Sequence, residues 1–178
     1  SAIFYHKKAL DISLKKKLDI NYLTASSYQN LGIAAQLTGD YQLAEECYTK
    51  SLKLKEKLFP VNDPALAKIY WNLGKFYSDL SRYNLALEFY DKSEQLLLTK
   101  FNRDDFEFAH VYWNKGNVYT HKGDYVKSTG YLSKAHAILE NNLGSENQSV
   151  HRVLQDLGFA YDKKGEKQLA IGFYTRAA

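Results

Sequence analysis

Apolar residues recur every three or four positions over most of the chain, which is the spacing of an amphipathic helix. In the stretch IYWNLGKFY (69–77), Tyr70, Leu73, Gly74 and Tyr77 fall at i, i+3, i+4 and i+7 and predict one buried stripe. Alternating strand patterns and Asn-Gly or Asp-Gly hairpin turns are absent, and the only prolines stand at 60 and 64. The pattern therefore predicts an all-α chain.

The same residue types return every 42 positions. Seven of the ten glycines fall in two columns. The first column holds Gly32, Gly74, Gly116 and Gly158, and the second holds Gly39, Ser81, Gly123 and Gly165. Further columns place alanine or serine at 44, 86, 128 and 170 and mostly tyrosine at 48, 90, 132 and 174. A period kept without insertion predicts stacked structural repeats.

Each column has a physical reason. A glycine directly after leucine lets a second helix approach the first closely, and the Gly39-type glycine ends the first helix in the left-handed region. The small residue at Ala44 lies where two helices meet, and the aromatic residue four positions later fills the space between pairs. Each unit is therefore predicted to be helix, turn, helix.

The pattern Tyr-x2-Leu-Gly-x2-Tyr followed by Gly-x-Tyr-x2-Ala-x3-Tyr resembles the tetratricopeptide repeat. That family has a period of about 34 residues, and the surplus here lengthens the helices by roughly two turns per repeat. The longer repeats look like those of kinesin light chains and of bacterial regulatory proteins. The resemblance implies an all-α, right-handed superhelical solenoid of antiparallel helix pairs.

One array is expected to occupy residues 1–178. Residues 1–18 are predicted to be the second helix of a truncated repeat. Four repeats follow, at 25–60, 64–101, 106–143 and 148–178, the last incomplete.

Composition excludes few classes of protein. Hydrophobic content of 45%, charged content of 25% and a net charge of +4 are ordinary, so neither nucleic acid nor a membrane is the expected partner. The single cysteine, Cys47, permits no intrachain disulfide, and no signal peptide or membrane-spanning run is visible. A cytoplasmic protein is the expectation.

No pattern predicts an enzyme, a cofactor or a metal. The five histidines form no zinc-ligand spacing, and no glycine-rich phosphate loop occurs. Cys47 is expected to be a packed structural thiol, and Asp104 and Asp105 are expected to cap the following helix.

The resemblance implies that the first helix of each repeat lines a concave groove. Counting from Ala25, Ala67, Ala109 and His151, the second, fifth, sixth, ninth, twelfth and thirteenth positions are expected to face it. Both tryptophans, Trp71 and Trp113, then fall in the same groove column, which makes them candidate anchors for a peptide. The other candidate peptide-binding residues are Asn30, Lys68, Asn72, Lys75, His110, Asn114, Asn117 and Arg152.

Two interpretations of these residues stay open. The tryptophans either bind a partner or pack between adjacent repeats, and the asparagines either pair with a peptide backbone or bond to the next helix. The family's clamp for chaperone tails is rejected. Only Asn72 and Asn114 match it in kind, and Asp156 stands where a basic residue is needed.

Three functions follow as hypotheses. The first is a non-catalytic module that binds a protein, as a peptide or a partner helix, in the groove. The second is the sensor or substrate-recruiting arm of a larger bacterial protease, kinase or phosphatase. The third is end-to-end self-association through uncapped ends.

Overall fold

The computed structural model describes Phe4, Lys7, Lys8, Asp11 and residues 22–178. Within 22–178 the chain forms four antiparallel helix pairs and no strand. The helices are α1 (Tyr22–Leu37), α2 (Tyr41–Leu58), α3 (Ala67–Asp79), α4 (Tyr83–Leu97), α5 (Ala109–His121), α6 (Tyr125–Leu143), α7 (Gln148–Lys164) and α8 (Lys167–Arg176). Short 3-10 helices, Pro64–Leu66 and Phe106–Phe108, precede α3 and α5. The helix predicted over 1–18 lies outside the described residues except at the four named positions, which are helical.

The glycine column at the centre of each first helix permits close helix contact, as predicted. A Cβ on Gly74 would lie 2.5 Å from the ring of Tyr90, and one on Gly32 would lie 2.9 Å from the ring of Tyr48. The ring thus lies directly on the glycine backbone. The Tyr48 ring then packs against Phe76 of the next repeat, with centroids 5.6 Å apart.

The turn column requires the left-handed backbone region. Gly39, Gly123 and Gly165 have φ of 79°, 77° and 90°. Ser81 occupies the same place in the second repeat with φ of 56°, the one non-glycine residue with positive φ in the described part of the chain. An L side chain is strained in this region.

Aspartates begin several helices. Asp40 and Asp124 accept hydrogen bonds from the backbone N–H groups three residues later, which satisfies donors that a helix start leaves free. The prediction that Asp104 and Asp105 cap the next helix is met in position by Asp105, the N-cap residue of the 3-10 helix Phe106–Phe108, but its side chain makes no capping hydrogen bond. Its carboxylate instead accepts from the backbone N–H of Asn102, 2.8 Å away, and so closes the loop before the 3-10 helix.

The stack is curved because its two kinds of helix pack differently. The first helices of successive pairs contact one another, α1 with α3, α3 with α5 and α5 with α7. Within 22–178, no two second helices approach each other in this way. The first helices therefore lie on the inner side of the curve, where the candidate groove is.

One repeat column that otherwise holds leucine contains a buried charge. Lys115 takes the place of Leu31, Leu73 and Leu157, is 3% exposed, and donates to Asp91 and Glu94 at 2.6 and 2.7 Å. Burial alone would lower the pKa of Lys115, but these hydrogen bonds outweigh it and raise that pKa. The buried ammonium group is thus paired with one half-buried carboxylate, Glu94, and one exposed carboxylate, Asp91.

Candidate peptide-binding groove

All ten candidate residues lie on first helices: Asn30 on α1, four on α3, four on α5 and Arg152 on α7. Asn30, Lys68, His110 and Arg152 are exposed, whereas both tryptophans are half-buried. Each tryptophan packs its ring against the core while part of it stays open to solvent. The structure thus places all ten residues on the inner helices, nine with exposed or half-buried side chains and Asn72 buried.

Trp71 lies between two cavities. The larger, which we call the junction cavity, has a volume of about 340 Å³ between the second and third repeats. Its lining is mainly apolar and includes Ala67, Trp71, Leu97 and Phe101. The buried Nε1 of Trp71 has no hydrogen-bond acceptor among the described residues.

The smaller cavity, which we call the Asn72 cavity, has a volume of about 170 Å³ and lies between the first and second repeats. Ile33, Gln36, Tyr48, Trp71 and Lys75 line it together with Asn72. Asn72 is only 4% exposed, and its Nδ2 has no acceptor in the part of the chain that the structure describes. Two adjacent residues therefore each hold a buried N–H donor that has no acceptor among the described residues.

His110 connects the two tryptophans. Its ring centroid lies 5.9 Å from that of Trp71 and 6.4 Å from that of Trp113, with the Trp113 ring nearly parallel. Desolvation lowers the pKa of His110, although one side of the residue stays exposed to solvent. The three rings form a continuous aromatic surface that crosses from α3 to α5.

Trp113 is held by the following repeat. Its Nε1 donates to Asp156 Oδ2 at 2.5 Å, and Asn117 Nδ2 donates to the same oxygen at 3.0 Å. These bonds between repeats correspond to the structural alternative raised from the sequence. Asn114 bonds within its own helix, to the carbonyl of His110 at 2.7 Å. Trp71 and Asn72 differ from these counterparts in having free donors.

The sequence did not reveal the contribution of the second helices. Leu97 at the end of α4 and Phe101 in the loop after it line the junction cavity, although neither lies on a groove helix. In the first repeat the fifth position is Gln29, which is buried and accepts from Lys55 Nζ at 2.6 Å. A comparison of equivalent positions in the second helices, such as Lys55 and Leu97, could have indicated that the contacts between neighbouring repeats differ.

Three other kinds of feature bear on function: a reactive cysteine, a metal site and a membrane-spanning helix. Cys47 is buried, as predicted for a structural thiol, and burial raises the pKa of its thiol. Among the described residues, no three His, Cys, Asp or Glu side chains are grouped to hold a metal ion. None of the described helices is long and apolar enough to span a membrane.

The family profile of the tetratricopeptide repeat matches residues 1–57 and 107–178, and a second tetratricopeptide repeat profile matches residues 67–96. The chain belongs to the tetratricopeptide repeat family. Proteins of this family are typically non-catalytic and mediate contacts between proteins, so the partner class is protein. None of the curated proteins matches this sequence.

Solved structures with the same fold share little sequence with this repeat array. BtubC (BKLC) from P. vanneervenii has a TM-score of 0.84 at 19% identity, covering 99% of this chain and 70% of its own. A kinesin-light-chain-type protein of Podosopora anserina with nearly identical repeats has a TM-score of 0.77 at 18% identity, covering 98% of this chain and 83% of its own. MamA has a TM-score of 0.66 at 20% identity, covering 98% and 84%. These likenesses establish the solenoid of helix pairs.

Proposed function

We propose that this repeat array is a non-catalytic module that binds an extended segment of a partner protein along the inner surface of α1, α3, α5 and α7. The observation that carries the proposal is the pair of buried donors on Trp71 and Asn72, each beside a cavity. An extended peptide presents a carbonyl acceptor at every residue. It can therefore supply what these two donors lack.

The energetics favour Trp71 as the principal anchor. A buried donor without a partner costs about 1–3 kcal/mol, and a ligand that provides an acceptor recovers part of this. Burial of the remaining indole surface adds apolar area at the centre of the groove, as in binding hot spots. Trp113 already donates to Asp156, so its proposed role is ring contact alone.

Charged residues around the groove are mixed in sign. Lys68, Lys75 and Arg152 stand on the same surface as Asp156 and Asp79. Asp156 is engaged by Trp113 and Asn117, and Asp79 accepts from Gln36. These donors are neutral, so both carboxylates keep their charge, whereas Lys68, Lys75 and Arg152 form no ion pair with a described residue. We therefore expect no more than a modest preference for acidic segments.

Selection of peptides from a random displayed library on the chain, followed by calorimetry, tests the proposal. We expect Trp71→Ala to weaken a selected peptide at least tenfold and Asn72→Leu to weaken it less. Val126→Ala is the matched control, since Val126 is 69% exposed on α6, away from the groove. Selected peptides that bind the Trp71→Ala variant as tightly as the wild type would contradict the proposal.

A further inference from the structure

The junction cavity lies at a repeat position where the repeats on either side carry an aromatic residue of the chain itself. This repeat position lies three residues before Ala25, Ala67 and Ala109, from which positions on the first helices are counted. It holds Tyr22, Pro64 and Phe106 in the first three repeats. Only the second repeat has proline there. Pro64 lines the junction cavity, and proline is smaller than either aromatic residue.

The first repeat shows how a ring occupies this place. The Tyr22 ring meets Phe59 edge-on, with centroids 6.2 Å apart, and Lys55 Nζ lies 5.9 Å from the Tyr22 centroid. Phe59 and Lys55 stand 42 residues before Phe101 and Leu97, which line the junction cavity. The two residues that contact the Tyr22 ring therefore have counterparts, Phe101 and Leu97, in the second repeat. There Pro64 stands at the position of Tyr22 and provides no ring.

The third repeat gives the same result from the other side. The Phe106 ring lies edge-on to His110, with centroids 6.1 Å apart. His110 is the counterpart of Lys68, which also lines the junction cavity. Aromatic residues thus stand at this repeat position on both sides of Pro64, each with its ring partly open to solvent, Tyr22 being 57% and Phe106 37% exposed.

We propose that the junction cavity binds the side chain of a phenylalanine or tyrosine from the partner protein. This ring takes the place that Tyr22 and Phe106 occupy in their own repeats. The proposal rests on the proposed function, because Trp71 and His110 belong to both the cavity and the groove. The cavity fits a neutral ring, since Lys68 and Glu107 bring charges of opposite sign and the remaining lining is mainly apolar.

A small probe tests the cavity without a complete peptide ligand. N-acetyl-phenylalaninamide is titrated into the 15N-labelled chain, and the indole N–H signal of Trp71 is followed after assignment with the Trp71→Phe variant. We expect saturable shifts with a dissociation constant on the order of 1 mM, as suits so small a ligand. N-acetyl-alaninamide, which lacks the ring, should cause no saturable shift.

Pro64→Phe is the decisive variant because it restores the residue type found in the third repeat. Its ring should fill the cavity and abolish probe binding, whereas Val61→Phe, at an exposed position off the cavity, should leave binding unchanged. Should Pro64→Phe unfold the chain, Phe101→Ala provides a second test, since removal of the supporting ring should weaken the probe at least fivefold.

The outcomes separate this inference from the proposed function. The absence of saturable shifts in the wild type, or shifts that persist in Pro64→Phe, would overturn the inference. Selected peptides that bind the wild type and Pro64→Phe equally would overturn it while leaving groove binding intact. Concentration-dependent shifts without probe, lost in Pro64→Phe, would also overturn it, because a second copy of the chain would then be the occupant.

Discussion

Tyr48 and Tyr90 occupy the same repeat position and are both buried, but only the Tyr48 hydroxyl forms a hydrogen bond among the described residues. The two residues therefore allow the contribution of that hydrogen bond to stability to be compared directly. Tyr48 is 1% exposed and donates to Gln36 Oε1 at 2.6 Å, while the Gln36 amide donates to Asp79 at 2.6 Å. Tyr90 is 0% exposed, and its hydroxyl has no partner among the described residues. Both rings lie directly on a glycine of the first helix, on Gly32 and Gly74 respectively.

Replacing each tyrosine by phenylalanine should change stability in opposite directions. Tyr48→Phe removes a hydrogen bond worth about 1 kcal/mol and leaves a buried carbonyl oxygen on Gln36 without its donor. We expect it to lower the free energy of unfolding by about 1–3 kcal/mol. Tyr90→Phe removes a hydroxyl that is buried without compensation, so it should leave that free energy unchanged or raise it by about 1 kcal/mol.

Urea unfolding followed by circular dichroism at 222 nm measures both changes. The slope of the unfolding free energy against urea concentration should be the same in all variants. Differences between their unfolding midpoints then report stability rather than a change in the unfolded state. Combining Tyr48→Phe with Gln36→Ala in a double-mutant cycle isolates the Tyr48–Gln36 bond. Equal effects of Tyr48→Phe and Tyr90→Phe, within about 0.5 kcal/mol, would refute the reasoning.

Three further changes test the packing and the buried charge. Ser81→Gly should raise the free energy of unfolding by about 0.5–1 kcal/mol in thermal or urea unfolding, because φ of 56° strains a side-chain-bearing residue. Gly74→Ala should lower it by about 1–3 kcal/mol, since the new Cβ would lie 2.5 Å from the Tyr90 ring, whereas Gly130→Ala, with nothing within 4 Å, should raise it slightly in the same measurement. Lys55→Met should stabilise the chain by about 1–2 kcal/mol at pH 7, because burial lowers the pKa of Lys55 to about 8 and this cost exceeds that of leaving the buried Gln29 oxygen without its donor.

The buried Lys55 also predicts the direction in which the unfolding free energy changes with pH. The folded chain releases the Lys55 proton near pH 8 and the unfolded chain only near pH 10.5, so between these values the unfolded state binds more protons. This group therefore makes the wild type more stable as pH rises from about 8 to about 10.5. The stability advantage of Lys55→Met over the wild type should shrink over that range and then reverse, because deprotonation adds about 3 kcal/mol to the wild type. A difference that stays constant would show that Lys55 is not buried as a charge. Other lysines and tyrosines titrate in both proteins and cancel in the comparison.

The sequence by itself determined the repeating framework. Glycine at 32, 74, 116 and 158 and the turn residues at 39, 81, 123 and 165 act through local backbone geometry and through contact between two helices of one pair. Such interactions span few residues and recur at each period, so their columns are visible in a single chain. The family and the helix–turn–helix order followed from them.

Only the tertiary structure decided how neighbouring repeats differ at their junctions. Trp71 and Trp113 share a column, yet Asp156 holds one indole N–H while the other has no partner among the described residues. Lys115 is buried in a leucine column because Asp91 and Glu94 come to it from the preceding second helix. The junction cavity likewise depends on Pro64 and on a wall built from α4. These outcomes depend on side chains 21 to 43 residues apart that meet only when repeats stack, and the local period carries no information about which of them will pair.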